Sequence, residues 1–376
     1  MPPLVGHVTE GFLPLSETFV YSQLCARPAE QATVLTRRRV NEVQFPFESV
    51  HELDPRSAGR VEAAIRRRVS RALPFPSKFE RGIAGAAAAE GCDLLHAHFG
   101  WSGNNALHAS QRLGVPLLTS FYGRDVYSPD WGKRDASSMF RQLFAGGSRF
   151  TCVGPNTRDE LVRQGCPRDR VRILKLGIDL EGFPYRPRTV RRPLIILQIA
   201  RFTDKKGIDV TLRAYAQARP LLGASELWVI GDGPLRASLV ALAHTLDLTE
   251  HVHFMGGLQH SEVRERIARA HIGVQPSRVA EDGDREGSPT VLLEMQAAGL
   301  PVVATKHADI PSIVAYPEEL VGEEDARGVA DALVRLAALT EAEREERAEA
   351  GRSLVEREHD HRKVVRHLGE IYSEMV

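Results

Sequence analysis

The chain has 376 residues, more than the about 250–300 that one hydrophobic core supports, so two domains are expected. Lys plus Arg and Asp plus Glu both number 49, which gives net charge zero and excludes the basic excess expected of a nucleic-acid binder. Cys25, Cys92, Cys152 and Cys166 form no C-x-x-C pair, which argues against a zinc or redox motif and fits a reducing cytoplasm. No charged-then-apolar leader opens the chain and no apolar run approaches the about 20 residues needed to span a bilayer, so a soluble or peripherally bound cytoplasmic protein is expected.

Leu4 to Val8 is a short apolar strand, followed by Gly11 and by a helix from about Ser16 through Cys25. Strand, glycine loop and helix open a doubly wound domain, whose ligands bind beyond the carboxyl ends of the strands. Gly11 and Ser16 are therefore placed at a cleft, although Ser16 equally fits an ordinary helix cap. Between Arg56 and Arg81, Val61, Ile65, Val69 and Ala72 share one helical face amid Arg60, Arg66, Arg67, Arg68 and Arg71. Such a helix can lie on an anionic membrane or pack on its own sheet.

Asp93 to Phe99 and Pro116 to Phe121 read as buried strands that end in polar residues. His96 and His98 share a strand face, but no Cys or Glu at ligand spacing joins them, so no metal is expected. Tyr122 and Asp125 follow the second strand, Tyr122 as a neutral hydrogen-bond donor and Asp125 as a turn stabiliser or a cleft contact. A Pro- and Arg-rich stretch from Phe183 to Pro193 reads as a linker. The boundary falls between domains of residues 1–187 and 188–360.

Leu194 to Ala200 is an unbroken apolar strand, as in a parallel sheet covered on both faces, and a helix begins at Ile208. Further strands end in turns at Gly231-Asp232-Gly233, Met255-Gly256 and Pro276-Ser277. The third glycine of a dinucleotide fingerprint is absent at Arg236, which disfavours an NAD enzyme. Arg285 to Thr305 then reads as loop, helix and strand, with Ser288 as cap, Pro289 as first helical residue and Gly299 as stop. A helix start favours an anion on Thr290 and Val291, and Glu286 and Glu294 can receive hydroxyls on either side. Phosphate between two sugars describes a nucleotide sugar, although E-x7-E alone also fits two solvated carboxylates.

The run Glu286-Gly287-Ser288-Pro289, Glu294-Met295-Gln296-Ala297-Ala298-Gly299 and Pro301-Val302-Val303-Ala304-Thr305 resembles the signature of family 4 of the retaining glycosyltransferases. Phe12 to Phe19 looks like the opening of exopolysaccharide transferases similar to the colanic acid biosynthesis enzymes, and Arg201 to Gly207 is similar to the family's G-R-x-x-x-K-K-G loop, with Ala200 for its first Gly. The resemblance implies the GT-B fold, two Rossmann-like α/β domains facing across a cleft, with a last helix at 361–376 crossing back onto the first domain. It implies that Glu286 faces the transferred sugar, Glu294 the ribose, Arg201 and Lys206 the diphosphate, and the turn at Met255 the base, with Gly287 and Ser288 beside the donor. It also implies sugar or acceptor contacts for His98, Tyr122 and Asp125, with Tyr122 standing where many members have His. After Thr305 the chain departs from the family's G-G-x-P-E, which predicts a looser loop there.

The reading is a retaining, metal-independent glycosyltransferase without cofactor, moving a sugar from a nucleoside diphosphate sugar, UDP before GDP, to a hydroxyl of a glycan, lipid-linked or small-molecule acceptor. A nucleotide-sugar epimerase and a non-catalytic sugar-nucleotide-binding protein are the alternatives.

Overall fold

The computed structural model describes residues 2–14, 17–25, 31–53, 76–127, 136–187, 189 and 192–376. The basic stretch around Arg60 to Arg71, and Ser16, lie outside them.

Among the described residues the chain forms two parallel sheets. The first contains β1 (Val5–Phe12), β2 (Ala32–Arg39), β3 (Val50–Glu52), β4 (Leu94–His98), β5 (Leu117–Phe121), β6 (Arg149–Cys152) and β7 (Val171–Ile173), in the order β3-β2-β1-β4-β5-β6-β7. The second contains β8 (Leu194–Ile199), β9 (Ser225–Ile230), β10 (Val252–Gly256), β11 (Ile272–Gln275), β12 (Val302–Thr305) and β13 (Leu320–Val321), in the order β10-β9-β8-β11-β12-β13. Both follow the Rossmann order. The winding reverses between β1 and β4 in one sheet and between β8 and β11 in the other, and ligands of such sheets bind beyond the strand ends at that point.

The strands are apolar because helices cover both faces. In the second sheet Leu194, Ile196 and Val229 point to one core with Leu212 and Tyr215 of helix Ile208–Leu222 and Leu333 of helix Ala326–Ala338. Ile195, Leu197 and Trp228, at alternate positions, point to the other with Leu292 and Met295 of helix Thr290–Ala297 and Val355 of helix Glu341–Glu358. Each fully buried Leu or Ile contributes about 1.5–3 kcal/mol.

The chain divides into one unit of Met1–Val126, Trp131–Leu174 and Val364–Val376 and another of Tyr127–Asp130 and Lys175–Lys363. The compact units thus divide at 174/175, ahead of the linker read from the sequence. Residues after Leu174 are held in the second unit by Lys175 paired with Glu358, by His359 Nδ1 on the Leu176 carbonyl at 2.8 Å, and by the Ile178 amide on the His359 carbonyl at 2.7 Å. The last helix, His361–Ser373, contributes Val364, Leu368, Ile371 and Tyr372 to a core with Val5, Leu94, Leu118 and Leu174 of the first unit.

Candidate active site

In the second unit the loops after β8 and β11 flank the switch point. They and the loop after β9 pack closely because two positions lack a Cβ. A Cβ on Gly207, at φ +60°, stands 2.0 Å from the Pro276 carbonyl oxygen in the loop after β11, and one on Gly231, at φ +130° in the loop after β9, stands 1.9 Å from that of Ala200. Three sets of ion pairs then join the loops. Arg278 binds Asp204 and, at 3.0 Å, Asp209; Lys205 Nζ lies 3.0 Å from Asp284 Oδ2; Lys206 Nζ lies 2.7 Å from Glu286 Oε1. Arg201, the other predicted diphosphate contact, is exposed.

Glu286 is buried, at 6% exposure. Burial alone raises a carboxyl pKa, but Lys206 first and Lys205 second more than offset it and hold Glu286 below its ordinary value, as a carboxylate. Its amide donates to His307 Nε2 at 3.1 Å, so the imidazole proton sits on Nδ1, which donates to Glu323 Oε1 at 2.8 Å. The loop after Thr305, expected to be looser for want of the family's Glu, is tied down by this histidine and by the short helix Ile310–Ser312. His307 carries no signal in the sequence, since its role depends on Glu286 and Glu323 reaching it.

The helix starts one residue later than its spacing indicates. Pro289, at φ −69° and ψ 109°, is the cap rather than the first helical residue, and Ser288 does not cap. Its Oγ is buried and lacks a hydrogen-bond partner among the described residues. Gly287 is buried, and Thr290 and Val291, half-buried, lead the first turn, where amides have no carbonyl four residues back. Glu294 is half-buried on the same helix; burial pushes its carboxyl up to about 7 against the pull of Arg264. Gly299 ends the helix at φ +76°. Met255 lies near the end of β10, half-buried, beside Gly256, whose carbonyl accepts the Gly231 amide at 2.8 Å.

In the triplet Asp282-Gly283-Asp284, Asp284 is engaged by Lys205, and Asp282 accepts the Asp284 amide at 3.0 Å. The residues of this loop thus serve the loop's own geometry.

The first unit departs from expectation at several positions. Gly11 is not in a loop: β1 continues to Phe12, and Gly11 pairs with Arg38 of β2. His98 ends β4 fully buried, with Nδ1 2.8 Å from the Tyr122 hydroxyl and Nε2 3.0 Å from His7 Nδ1, so both ring nitrogens are engaged within the protein rather than offered to a sugar. Burial drives its pKa down to about 3, and the ring is neutral. Asp125 is likewise fully buried. It accepts the Gly100 amide at 2.8 Å and the Tyr122 and Gly123 amides at 3.0 and 3.1 Å, so it clamps its loop to the start of helix Gly100–Leu113 and does not face an acceptor. Tyr122 stays partly exposed against Phe19, with ring centroids 4.6 Å apart. Sequence reading missed Glu17, whose burial pushes its carboxyl up to about 7 beside Arg124 and Asp125.

It also missed His7, which the register sets opposite His96. Ligand-capable atoms of His7, His96 and His98 lie within 4.8 Å of one another. His96 is bonded to Tyr372 at 2.6 Å and Ser120 at 2.7 Å, and His98 to Tyr122 and His7, so these nitrogens form a hydrogen-bonded core network.

Two Rossmann units, one with cations and carboxylates joined across the loops at its switch point, define the GT-B class of α/β glycosyltransferases. Residues 26–182 match the family described as Glycosyltransferase Family 4 and residues 186–354 that described as Glycosyl transferases group 1. The putative colanic acid biosynthesis glycosyltransferase WcaL of Escherichia coli (strain K12) is 33% identical over 275 residues, 71% of this chain and 66% of the relative. The amylovoran biosynthesis glycosyltransferase AmsK of Erwinia amylovora is 32% identical over 287 residues, 74% of this chain and 69% of the relative. The chain belongs to glycosyltransferase family 4. Its fold is similar to that of Anabaena Alr3699/HepE, solved in complex with UDP and glucose, with a TM-score of 0.80 at 15% identity over 99% of each chain. Among the described residues no helix is long and apolar enough to cross a membrane.

Proposed function

We propose that this protein transfers a sugar from a nucleoside diphosphate sugar, UDP before GDP, to a hydroxyl of an exopolysaccharide intermediate, with retention at the anomeric carbon. The observation that carries the reading is the meeting of the Arg201–Gly207 loop with Glu286 at the β8/β11 switch point, one turn from the helix that bears Glu294. UDP is preferred because HepE, which shares the fold, was solved with UDP and glucose. The acceptor class follows from the names of the two exopolysaccharide relatives.

In this reading Arg201 and Lys206 hold the diphosphate, aided by the first amides of helix Thr290–Ala297 and by the Ser288 hydroxyl. Glu294 receives the ribose hydroxyls, and Glu286 those of the sugar. The bond from the anomeric carbon to the phosphate oxygen breaks, and the acceptor oxygen bonds to that carbon on the same face. The acceptor's proton passes to the departing phosphate, so Glu286 acts as neither base nor nucleophile. Charge moves onto the diphosphate as the bond breaks, and preorganised cations favour that charge most in the transition state. No divalent metal is required: Arg201 and Lys206 meet the phosphates, and Asp284 is engaged by Lys205. A hydroxyl acceptor on a lipid carrier would bring the protein to the inner face of a membrane, where the basic stretch from Arg60 to Arg71 can meet anionic lipid.

The test is thermal-shift titration of the protein with a panel of UDP- and GDP-sugars, followed by mass and anomeric analysis of the product formed with extracted lipid-linked and free glycans. Sugar transfer with retained configuration is expected. Isomerised nucleotide sugar without an acceptor would assign the epimerase reading instead.

A further inference from the structure

The lysine read as a diphosphate contact already has an anionic partner. Around the switch point the cations are compensated locally: Arg278 by Asp204 and Asp209, Lys205 by Asp284, and Lys206 by Glu286. Lys205 is fixed. Its side chain is 9% exposed, and it also donates to the Arg285 carbonyl at 3.1 Å. Lys206 is more accessible, at 16%, and faces Glu286 at 2.7 Å. Glu286 cannot easily retreat, because its amide is anchored on His307 and its side chain is 8% exposed. A diphosphate that reaches Lys206 therefore meets an ammonium whose charge is shared with a fixed carboxylate.

We propose that Glu286 and the diphosphate compete for Lys206, so that the same carboxylate that holds the sugar weakens the grip on the nucleoside diphosphate and promotes its release after transfer. This rests on the reading of Lys206 as a diphosphate contact. While the donor is intact, sugar hydroxyls donate to Glu286 and satisfy it, and Lys206 is free to turn to the phosphates. After transfer those hydroxyls are gone, and once the proton taken from the acceptor has passed on to solvent the product diphosphate is more negative than it was as a diester. Glu286 then stands unpaired beside a like charge unless it takes Lys206 back, and like charges at short range disfavour the product complex. The arrangement sets Glu286 against product retention, a role distinct from contacting the sugar.

The experiment is calorimetric titration of the full chain and its Glu286→Gln and Lys206→Met variants with UDP, GDP, uridine and guanosine. Product-inhibition constants are measured on the wild type and Glu286→Gln. Glu286→Gln keeps the shape and removes the charge, so it should bind the preferred diphosphate about tenfold tighter and leave nucleoside affinity unchanged, with the product-inhibition constant falling in step. Lys206→Met should weaken the diphosphate alone. Should Glu286→Gln fail to fold, Glu286→Ala serves the same comparison. Unchanged or weaker diphosphate binding on loss of the Glu286 charge, with Lys206→Met still weakened, overturns the competition and leaves the site reading standing. Unchanged diphosphate binding in Lys206→Met overturns the site reading and the competition with it.

Discussion

His307 accepts the backbone amide of Glu286 at 3.1 Å and donates to Glu323 at 2.8 Å, so a buried imidazole fixes the loop from which the Glu286 carboxylate, proposed to hold the sugar, projects. His307→Ala leaves that amide without its acceptor, which costs about 1–3 kcal/mol of stability. It also frees Glu286 to shift, and misplacement by about 1 Å lowers turnover by up to about a hundredfold. Melting and steady-state kinetics should show both losses, with nucleotide KM changing less than kcat. His307→Gln, whose amide oxygen can accept the same N–H, should restore part of the turnover. Equal kcat in wild type and His307→Ala would remove the positioning role.

The two aspartates of the Asp282-Gly283-Asp284 triplet should behave differently. Asp284→Asn removes the partner of Lys205, whose side chain is 9% exposed, and should cost about 1.5–3 kcal/mol. Asp282 is exposed and Asp282→Asn should be mild. Sugar transfer by chelator-treated enzyme should match that of untreated enzyme. Activity lost to the chelator and restored by magnesium or manganese would make the triplet a metal site.

Glu294 supplies a pH dependence with a defined sign. Burial raises its carboxyl from the ordinary 4.5 to about 7, so the carboxylate, proposed to accept the ribose hydroxyls, forms only as pH rises through about 7. Nucleotide affinity should increase between pH 6 and 8, and Glu294→Gln should lose about ten- to a hundredfold at pH 8 and less at pH 6. The folded protein holds this proton more tightly than the unfolded chain, so stability falls as pH climbs from 4.5 to 7. Glu294→Gln should therefore melt above the wild type at pH 8. Titration calorimetry and melting across the range check the two halves separately, and pH-independent affinity would sink the ribose assignment.

Asp125 accepts three backbone amides, from Gly100, Tyr122 and Gly123, and is fully buried. Asp125→Ala leaves these donors unpaired and should cost at least about 1–3 kcal/mol, with Asp125→Asn milder because one acceptor oxygen remains. Burial pushes the carboxyl up to about 6 against the pull of these amides. If Asp125→Ala instead raised acceptor KM with no change in melting temperature, the residue would face the acceptor after all.

The sequence by itself determined the strands that are apolar along most of their length and run into polar or turn-forming residues. Leu94–His98, Leu117–Phe121, Leu194–Ile199, Ile272–Gln275 and Val302–Thr305 stand where their composition indicates, because strands covered on both faces have no polar face to obscure them. The motif residues Arg201, Lys206, Glu286 and Glu294 stood out because the runs that carry them resemble the family's motifs. Ala32–Arg39 was not legible, because three arginines end a strand that only pairing with β1 makes regular. Nor was the division of the fold into compact units at Leu174, which depends on Lys175, Leu176 and Ile178 meeting Glu358, His359 and Asp360 some 180 residues later.

Tertiary structure alone decided which polar residues are engaged within the protein. The resemblance implied contacts for His98 and Asp125, Asp125 equally fitting a turn stabiliser, and in the fold His7 engages His98 while the amides of Gly100, Tyr122 and Gly123 engage Asp125. It also decided that Lys206 and Glu286 are partners. Spacing along a chain records which groups are available; burial and distance set which of them neutralise one another, because an unpaired buried charge is costly and each takes the nearest opposite charge that the folded loops present.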